Sequence, residues 1–316
     1  MTAPRRRLSP LPWTALLACC ALPALGCRPI PEEIVAAGTP LQIYPADDAR
    51  TLKGELNLHV LLDEAHQGQT PEGLLVWDEG ELALDCTLSD DALEALCPVF
   101  DDVPEDQDYT LDVEVGPDAW TQRFDSRLPA PGLAWVPEDE VTVSTLGAGE
   151  KGRALFQQAL EADPMIVILE GTDGASAGEA TLLLGTASAR AEYPWGIGKP
   201  GLTQSLTVSL DGQGGLQSDP VDTLLPVLTD DGEVVVPLLD TAVRGTYSAT
   251  WLELQVTAIV PARGLLSLLS AYGVNPELAL SLSPLDLDLD GDGVADAATL
   301  SFEVSGANIV LPAWEE

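Results

Sequence analysis

Leu56, Leu58, Val60 and Leu62 alternate with Asn57, His59 and Leu61, and Tyr109, Leu111, Val113 and Val115 alternate with Thr110, Asp112 and Glu114. Successive side chains on a strand point to opposite faces, so a period of two specifies strands with one face on a core and the other in solvent. A chain that carries this rhythm between short turn segments folds as an antiparallel sandwich and not as a helical bundle. On this reading His59 lies on the outward, solvated face. Residues 39–128 thus make a first β-sandwich, with 89–96 intruding as a capped helical turn.

Pro129, Ala130, Pro131 and Gly132 open a connector over 129–137, after which residues 138–316 form a larger β-rich unit. Strands are predicted over 165–170, 180–184, 205–210, 233–239, 246–260 (one bent strand or two) and 299–304. Asp231-Gly232, between 224–228 and the run Val234, Val235 and Val236, predicts a hairpin. One short helix is predicted over 153–162, stopping before Asp163-Pro164. A second rests on the stripe Leu265, Leu268, Leu269 and Tyr272 and ends at Gly273 and Pro276. The expected class is all-β: two sandwich-like units with one or two short helices.

The chain has 51 acidic residues against 14 Lys and Arg, a net charge of -37. Such a charge repels phosphate backbones and anionic lipid surfaces, which excludes a nucleic-acid binder or a polybasic membrane reader. With 46% apolar residues the chain still buries a sizeable core.

Arg5, Arg6 and Arg7 precede a short apolar stretch that ends in Ala24-Leu25-Gly26-Cys27. A basic start, a brief apolar segment and small residues make a secretory signal peptide over 1–26, too short and proline-interrupted to span a bilayer. The last four residues resemble the lipobox of bacterial lipoproteins, in which the cysteine becomes the mature N-terminus and carries acyl chains. The resemblance implies a lipidated Cys27, a tether over 27–38, and anchoring to a membrane without crossing it. Arg28 stands where an Asp would signal inner-membrane retention, so the implied address is the outer membrane, facing the periplasm or the cell surface. The alternative is cleavage near Ala24 with Cys27 a spare thiol.

Cys19 and Cys20 leave with the leader, and Cys86 and Cys97 are what remains besides Cys27. In an exported chain such a close pair reads as a disulfide; two separately buried thiols are the alternative. A zinc site needs more ligands than this pair supplies, the histidines being His59 and His66.

Three further stretches carry a resemblance for the first unit: Pro45-Ala46-Asp47-Asp48-Ala49, the run from Pro104 to Leu111, and Phe124-Asp125-Ser126. Together they resemble bacterial Ig-like domains of the SbsA type, which implies an Ig-like sandwich over 39–128 serving as a spacer or adhesive module. The second unit is similar to uncharacterised bacterial lipoproteins in which a strand such as Gly245-Thr246-Tyr247 leads into a Leu-rich helix; no activity comes with that likeness.

Asp288, Asp290, Asp292 and Asp296 occupy loop positions 1, 3, 5 and 9, and Gly293 at position 6 permits a sharp reversal. Hard carboxylate oxygens converging in this way, with the Val294 carbonyl as a further donor, are the ligand set for Ca²⁺. The motif resembles the loops of thrombospondin type 3 repeats, dockerins and FG-GAP repeats. Position 12 is Thr299 in place of a bidentate Glu, so the expected affinity is modest, about 10⁻⁴ to 10⁻³ M. Asp286 offers a spare ligand in a shifted register. A solvated acidic turn is the alternative.

Gly174-Ala175-Ser176-Ala177-Gly178 fits the spacing of a serine-hydrolase nucleophile elbow, but a strand follows it where a helix is required, and no histidine lies downstream. A hairpin loop is the better reading. Trp77, Trp120, Trp135, Trp195 and Trp251 either line a carbohydrate platform or pack in cores and edges. The expectation for function is a non-enzymatic, calcium-stabilised interaction or structural module of the cell envelope, in contact with the membrane and with an envelope protein or polysaccharide, but not with nucleic acid. The alternative is a periplasmic or surface carbohydrate-active enzyme or carbohydrate-binding module, its chemistry resting on paired carboxylates.

Overall fold

The computed structural model describes residues 40–45, 49–51, 56–90, 92–99, 103–104, 107–127, 132–162, 165–172, 176–189, 197–229, 232–271 and 285–309. The expected leader, Cys27 and the expected tether lie outside the described residues, as do Trp195, the expected Asp163-Pro164 stop, Asp231 of the expected hairpin turn and the expected helix end at Tyr272, Gly273 and Pro276.

In chain order the first unit comprises β1 (Gln42–Tyr44), β2 (Arg50–Thr51), β3 (Leu56–Leu61), β4 (Glu72–Trp77), β5 (Gly80–Leu84), β6 (Thr87–Leu88), β7 (Glu94–Val99), β8 (Asp108–Val115) and β9 (Asp118–Asp125). One layer has the order β1-β3-β7-β6; the other runs β2-β9-β8-β4-β5. Tyr109, Leu111, Val113 and Val115 on β8 are buried as their alternation predicts, and with Leu58, Val60, Leu75, Val99 and Phe124 they form the core between the layers.

β3 departs from its pattern. His59 is not solvated: it is 4% exposed, its Nδ1 lies 2.6 Å from Glu94 Oε1, and its ring meets Tyr44 edge-on at 5.7 Å. Leu61 is buried as well, because β3 lies inside its sheet with β1 and β7 on either side, and Leu224 and Val235 from the second unit join the same core. The capped helical turn expected over 89–96 is also replaced. Ser89 Oγ accepts from the Glu94 N–H and donates to the Glu94 carbonyl, turning the chain into β7, whose backbone pairs with β3 and β6. Ladder hydrogen bonds on both sides outweigh the local helical preference of Leu93, Glu94, Ala95 and Leu96.

The second unit comprises β10 (Leu133–Leu146), α1 (Gly149–Ala162), β11 (Met165–Glu170), β12 (Ala177–Ala189), β13 (Ile197–Asp211), β14 (Gly215–Ser218), β15 (Val221–Thr229), β16 (Gly232–Tyr247), β17 (Trp251–Pro261), α2 (Ala262–Ala271) and β18 (Ala297–Ile309). Of the two readings of 246–260, the structure has two strands: β16 ends at Tyr247, and Ser248 turns the chain into β17. β15 and β16 form the expected hairpin. Of the expected connector, residues 133–137 are strand, paired with β11 and β18, and Trp135 is fully buried.

β10, β11, β12, β13, β14, β16, β17 and β18 pair antiparallel in that order, and β18 pairs back onto β10. The sheet therefore curls around its own core, which Trp135, Phe156, Val208, Val256 and Phe302 fill with the Leu265, Leu268 and Leu269 stripe of α2. Besides the core that Leu224 and Val235 share, two hydrogen-bonded links among the described residues fasten the units together. β2 pairs antiparallel with β13 and parallel with β9, so one sheet runs through both. Arg263 of α2, 4% exposed, donates from Nη1 to the Leu62 carbonyl at 2.7 Å and from Nη2 to the Leu93 carbonyl.

Candidate metal centre

The acidic loop stands between α2 and β18. Leu287 bridges to Ala297, the Asp296 N–H donates to the Leu287 carbonyl at 2.7 Å, and the loop returns through Gly291 and Gly293, whose φ values of 82° and 89° belong to the left-handed region. Backbone N–H groups then orient the carboxylates. Asp288 accepts from Gly291 through Oδ1 and from Gly293 through Oδ2, at 2.7 and 2.8 Å, and Asp290 Oδ1 accepts from Asp292 at 2.9 Å.

Asp288, Asp290 and Asp296 each offer a carboxylate oxygen, and these lie within 4.8 Å of one another. Asp288 and Asp290 are exposed, whereas Asp296 is 2% exposed. Its Oδ1 accepts from the Leu289 N–H at 2.8 Å, while its Oδ2 is buried with no hydrogen-bond partner. Burial pushes the Asp296 carboxyl above the usual 3.8, and the charges of Asp290 and Asp288 push it the same way, against the Leu289 hydrogen bond. A buried oxygen without a partner, facing two further carboxylates, is costly unless a cation neutralises it. The triad can hold a metal ion.

The other expected ligands are placed differently. Asp292 Oδ1 accepts from the Val294 N–H at 2.7 Å, and the Asp292 carboxylate is not among the three that converge. Asp286 is not spare: its Oδ1 accepts from the Thr299 N–H at 2.8 Å and its Oδ2 from Thr299 Oγ1 at 2.6 Å, so positions -1 and 12 of the loop clasp each other where an EF-hand would place a bidentate glutamate. A sequence signal for this clasp exists in hindsight, since Thr can donate from both backbone and hydroxyl whereas Glu cannot. The buried position of Asp296 had none, because it follows from packing at the head of β18.

Cys86 and Cys97 form a disulfide, with Sγ atoms 2.01 Å apart, joining the end of the β5–β6 connection to the middle of β7. Ser176 of the hydrolase-like spacing is exposed in the β11–β12 hairpin loop, Gly174 and Ala175 lying outside the described residues, and β12 follows it without a helix. The tryptophans divide between roles. Trp135 is core, Trp77 and Trp120 pack on the first core, and Trp251 stands 45% exposed. No protein-family model matches the chain, and no curated protein matches it in sequence.

Proposed function

We propose that this chain is a lipid-anchored protein of the bacterial outer membrane that works as a non-enzymatic structural or interaction module, with Ca²⁺ held by Asp288, Asp290 and Asp296. The observation that carries the metal assignment is the buried, unpartnered Oδ2 of Asp296 beside two further carboxylates. The donors are all hard oxygens, with no nitrogen or sulfur among them, which favours Ca²⁺ over Zn²⁺ or Cu²⁺. Extracellular and periplasmic spaces supply the cation at the concentrations that such an incomplete loop requires.

The role of the ion is mechanical. The Asp296 carbonyl accepts from Ala262 N–H, the first residue of α2, at 2.7 Å, and Ala297 begins β18. Fixing Asp296 therefore fixes the start of a helix and of a strand together, and that helix carries Arg263, which reaches across to the first unit. Support for export comes from the Cys86–Cys97 bridge, a bond that persists in oxidising compartments. Among the described residues no helix is long and apolar enough to cross a membrane; attachment is assigned to Cys27.

Fractionation of cells producing the full chain or its Cys27→Ala variant tests the anchor. The full chain partitions with outer-membrane material and the variant is released in soluble form; equal partitioning of the two contradicts the anchor.

A further inference from the structure

The outward face of the second unit carries a groove that is separate from the acidic loop. It has a volume of about 620 Å³ and is floored by β13, β14, β16, β17 and the β18 strand. Register aligns its side chains in two rows across the strands. Gln217, Arg244, Gln255 and Glu303 are successive cross-strand partners. One step along the strands, Gly215, Thr246 and Glu253 form the second row, with Asp211 Oδ1 accepting from the Gly215 N–H at 2.8 Å. The absence of a side chain at Gly215 opens the second row between Asp211 and Thr246. Trp251, outside the lining of the groove itself, lies one further step along β17 beyond Glu253 and so on the same face, 45% exposed.

We propose that this groove binds a neutral polysaccharide, with Trp251 as the stacking platform and the two polar rows as hydrogen-bonding partners of its hydroxyl groups. This goes beyond the calcium-bound envelope module and does not depend on it. Four properties select the ligand. Three carboxylates against a single guanidinium, on a chain of net charge -37, repel nucleic acids, acidic glycans and lipid phosphates. The rows mix acceptors (Glu253, Glu303) with groups that donate (Arg244) or do both (Gln217, Gln255, Thr246), which suits hydroxyls because they too donate and accept. A fatty ligand would strip water from Asp211, Arg244, Glu253 and Glu303 without replacing its hydrogen bonds. Finally, β16 and β17 are interior strands paired on both sides, so an extended peptide finds no free backbone edge there. The rows are also held in advance: Arg244 Nε donates to Gln255 Oε1 at 2.8 Å, and Gln255 Nε2 donates to Ser301 Oγ at 3.2 Å.

Affinity electrophoresis tests this, using the full chain with Cys27→Ala in gels that contain β-glucan, xylan, galactomannan or polygalacturonate. The expected result is retardation by at least one of the three neutral polymers and none by polygalacturonate. Trp251→Ala should weaken retention about tenfold or more, as loss of an aromatic anchor does, and Glu253→Gln should weaken it without touching the hairpin. Asp290→Asn, in the acidic loop, should leave it intact, so failure of the metal assignment and failure of the groove are read separately. No retardation by any neutral polymer, retention unaffected by Trp251→Ala, or binding confined to a Lys-rich peptide tested alongside would each overturn the proposal.

Discussion

Two histidines mark how burial decides the role of a single residue. His59 sits against Glu94 in the sheet interior, and His66 is gripped from both nitrogens. Its Nδ1 lies 2.6 Å from Asp63 and its Nε2 3.0 Å from Asp118, with Trp120 edge-on at 5.4 Å. The Asp63 hydrogen bond, aided by Asp118 and opposed by burial, raises the His66 imidazole above its usual 6.5. A raised histidine pKa favours the folded state when protonated. The contribution is fully present below 6.5 and is lost as pH rises through the raised folded-state value. Denaturant unfolding followed from pH 6 to pH 9 should therefore show a loss of stability that His66→Gln removes. A flat profile for the parent chain across that window contradicts the grip. Arg263 is the other residue whose burial matters. Arg263→Met removes the guanidinium from the Leu62 carbonyl, and from the Leu93 carbonyl, which keeps the Leu62 N–H at 2.9 Å, at a cost of about 1–3 kcal/mol measurable by urea unfolding.

At the scale of elements, the β6–β7 hairpin is cross-linked at a sequence separation of 11, which on the chain-entropy argument contributes roughly 3 kcal/mol. The Cys86→Ser, Cys97→Ser double variant should lose about 2–4 kcal/mol in the same unfolding measurement; no loss would mean that the hairpin is held by its ladder alone. Much of this level was legible in the chain. β8 follows its alternation residue by residue, β11 spans the predicted 165–170, and α1 ends at Ala162 as expected. What failed did so for a reason. Alternation tells which face of a strand is apolar, but not whether something covers the other, so on β3 it puts His59 in solvent where the structure buries it. Residues 93–96 have helical composition, and only the tertiary ladders of β3 and β6 make them a strand. Gly245 carries no turn signal. A Cβ there would lie 2.1 Å from the Glu253 carbonyl oxygen, a closeness that the β16–β17 pairing creates and that composition does not reveal. In the acidic loop, sequence placed Asp288, Asp290 and Asp296 together because glycines at fixed offsets fold it locally. It could not show that Asp292 turns to Val294 or that Asp286 clasps Thr299.

Across the whole molecule the acidic loop, α2 and the first unit form a chain of contacts. Asp296 holds Ala262, α2 carries Arg263, and Arg263 holds Leu62 and Leu93. With β2 stitched into both units, the two cores are expected to unfold together, as one calorimetric transition whose measured enthalpy matches its van't Hoff value; two separated transitions contradict that coupling. The most direct test of the calcium assignment is the unfolding free energy of the full chain with Cys27→Ala, measured in chelator and in about 10 mM Ca²⁺. For a site of about 10⁻⁴ to 10⁻³ M the predicted gain is about 1.4–2.7 kcal/mol. The isosteric Asp296→Asn change should abolish that gain without lowering the stability in chelator, because it removes a buried charge while keeping an oxygen for Leu289. Equal stability of the parent chain in chelator and in calcium, or a calcium gain that survives Asp296→Asn, would contradict the assignment.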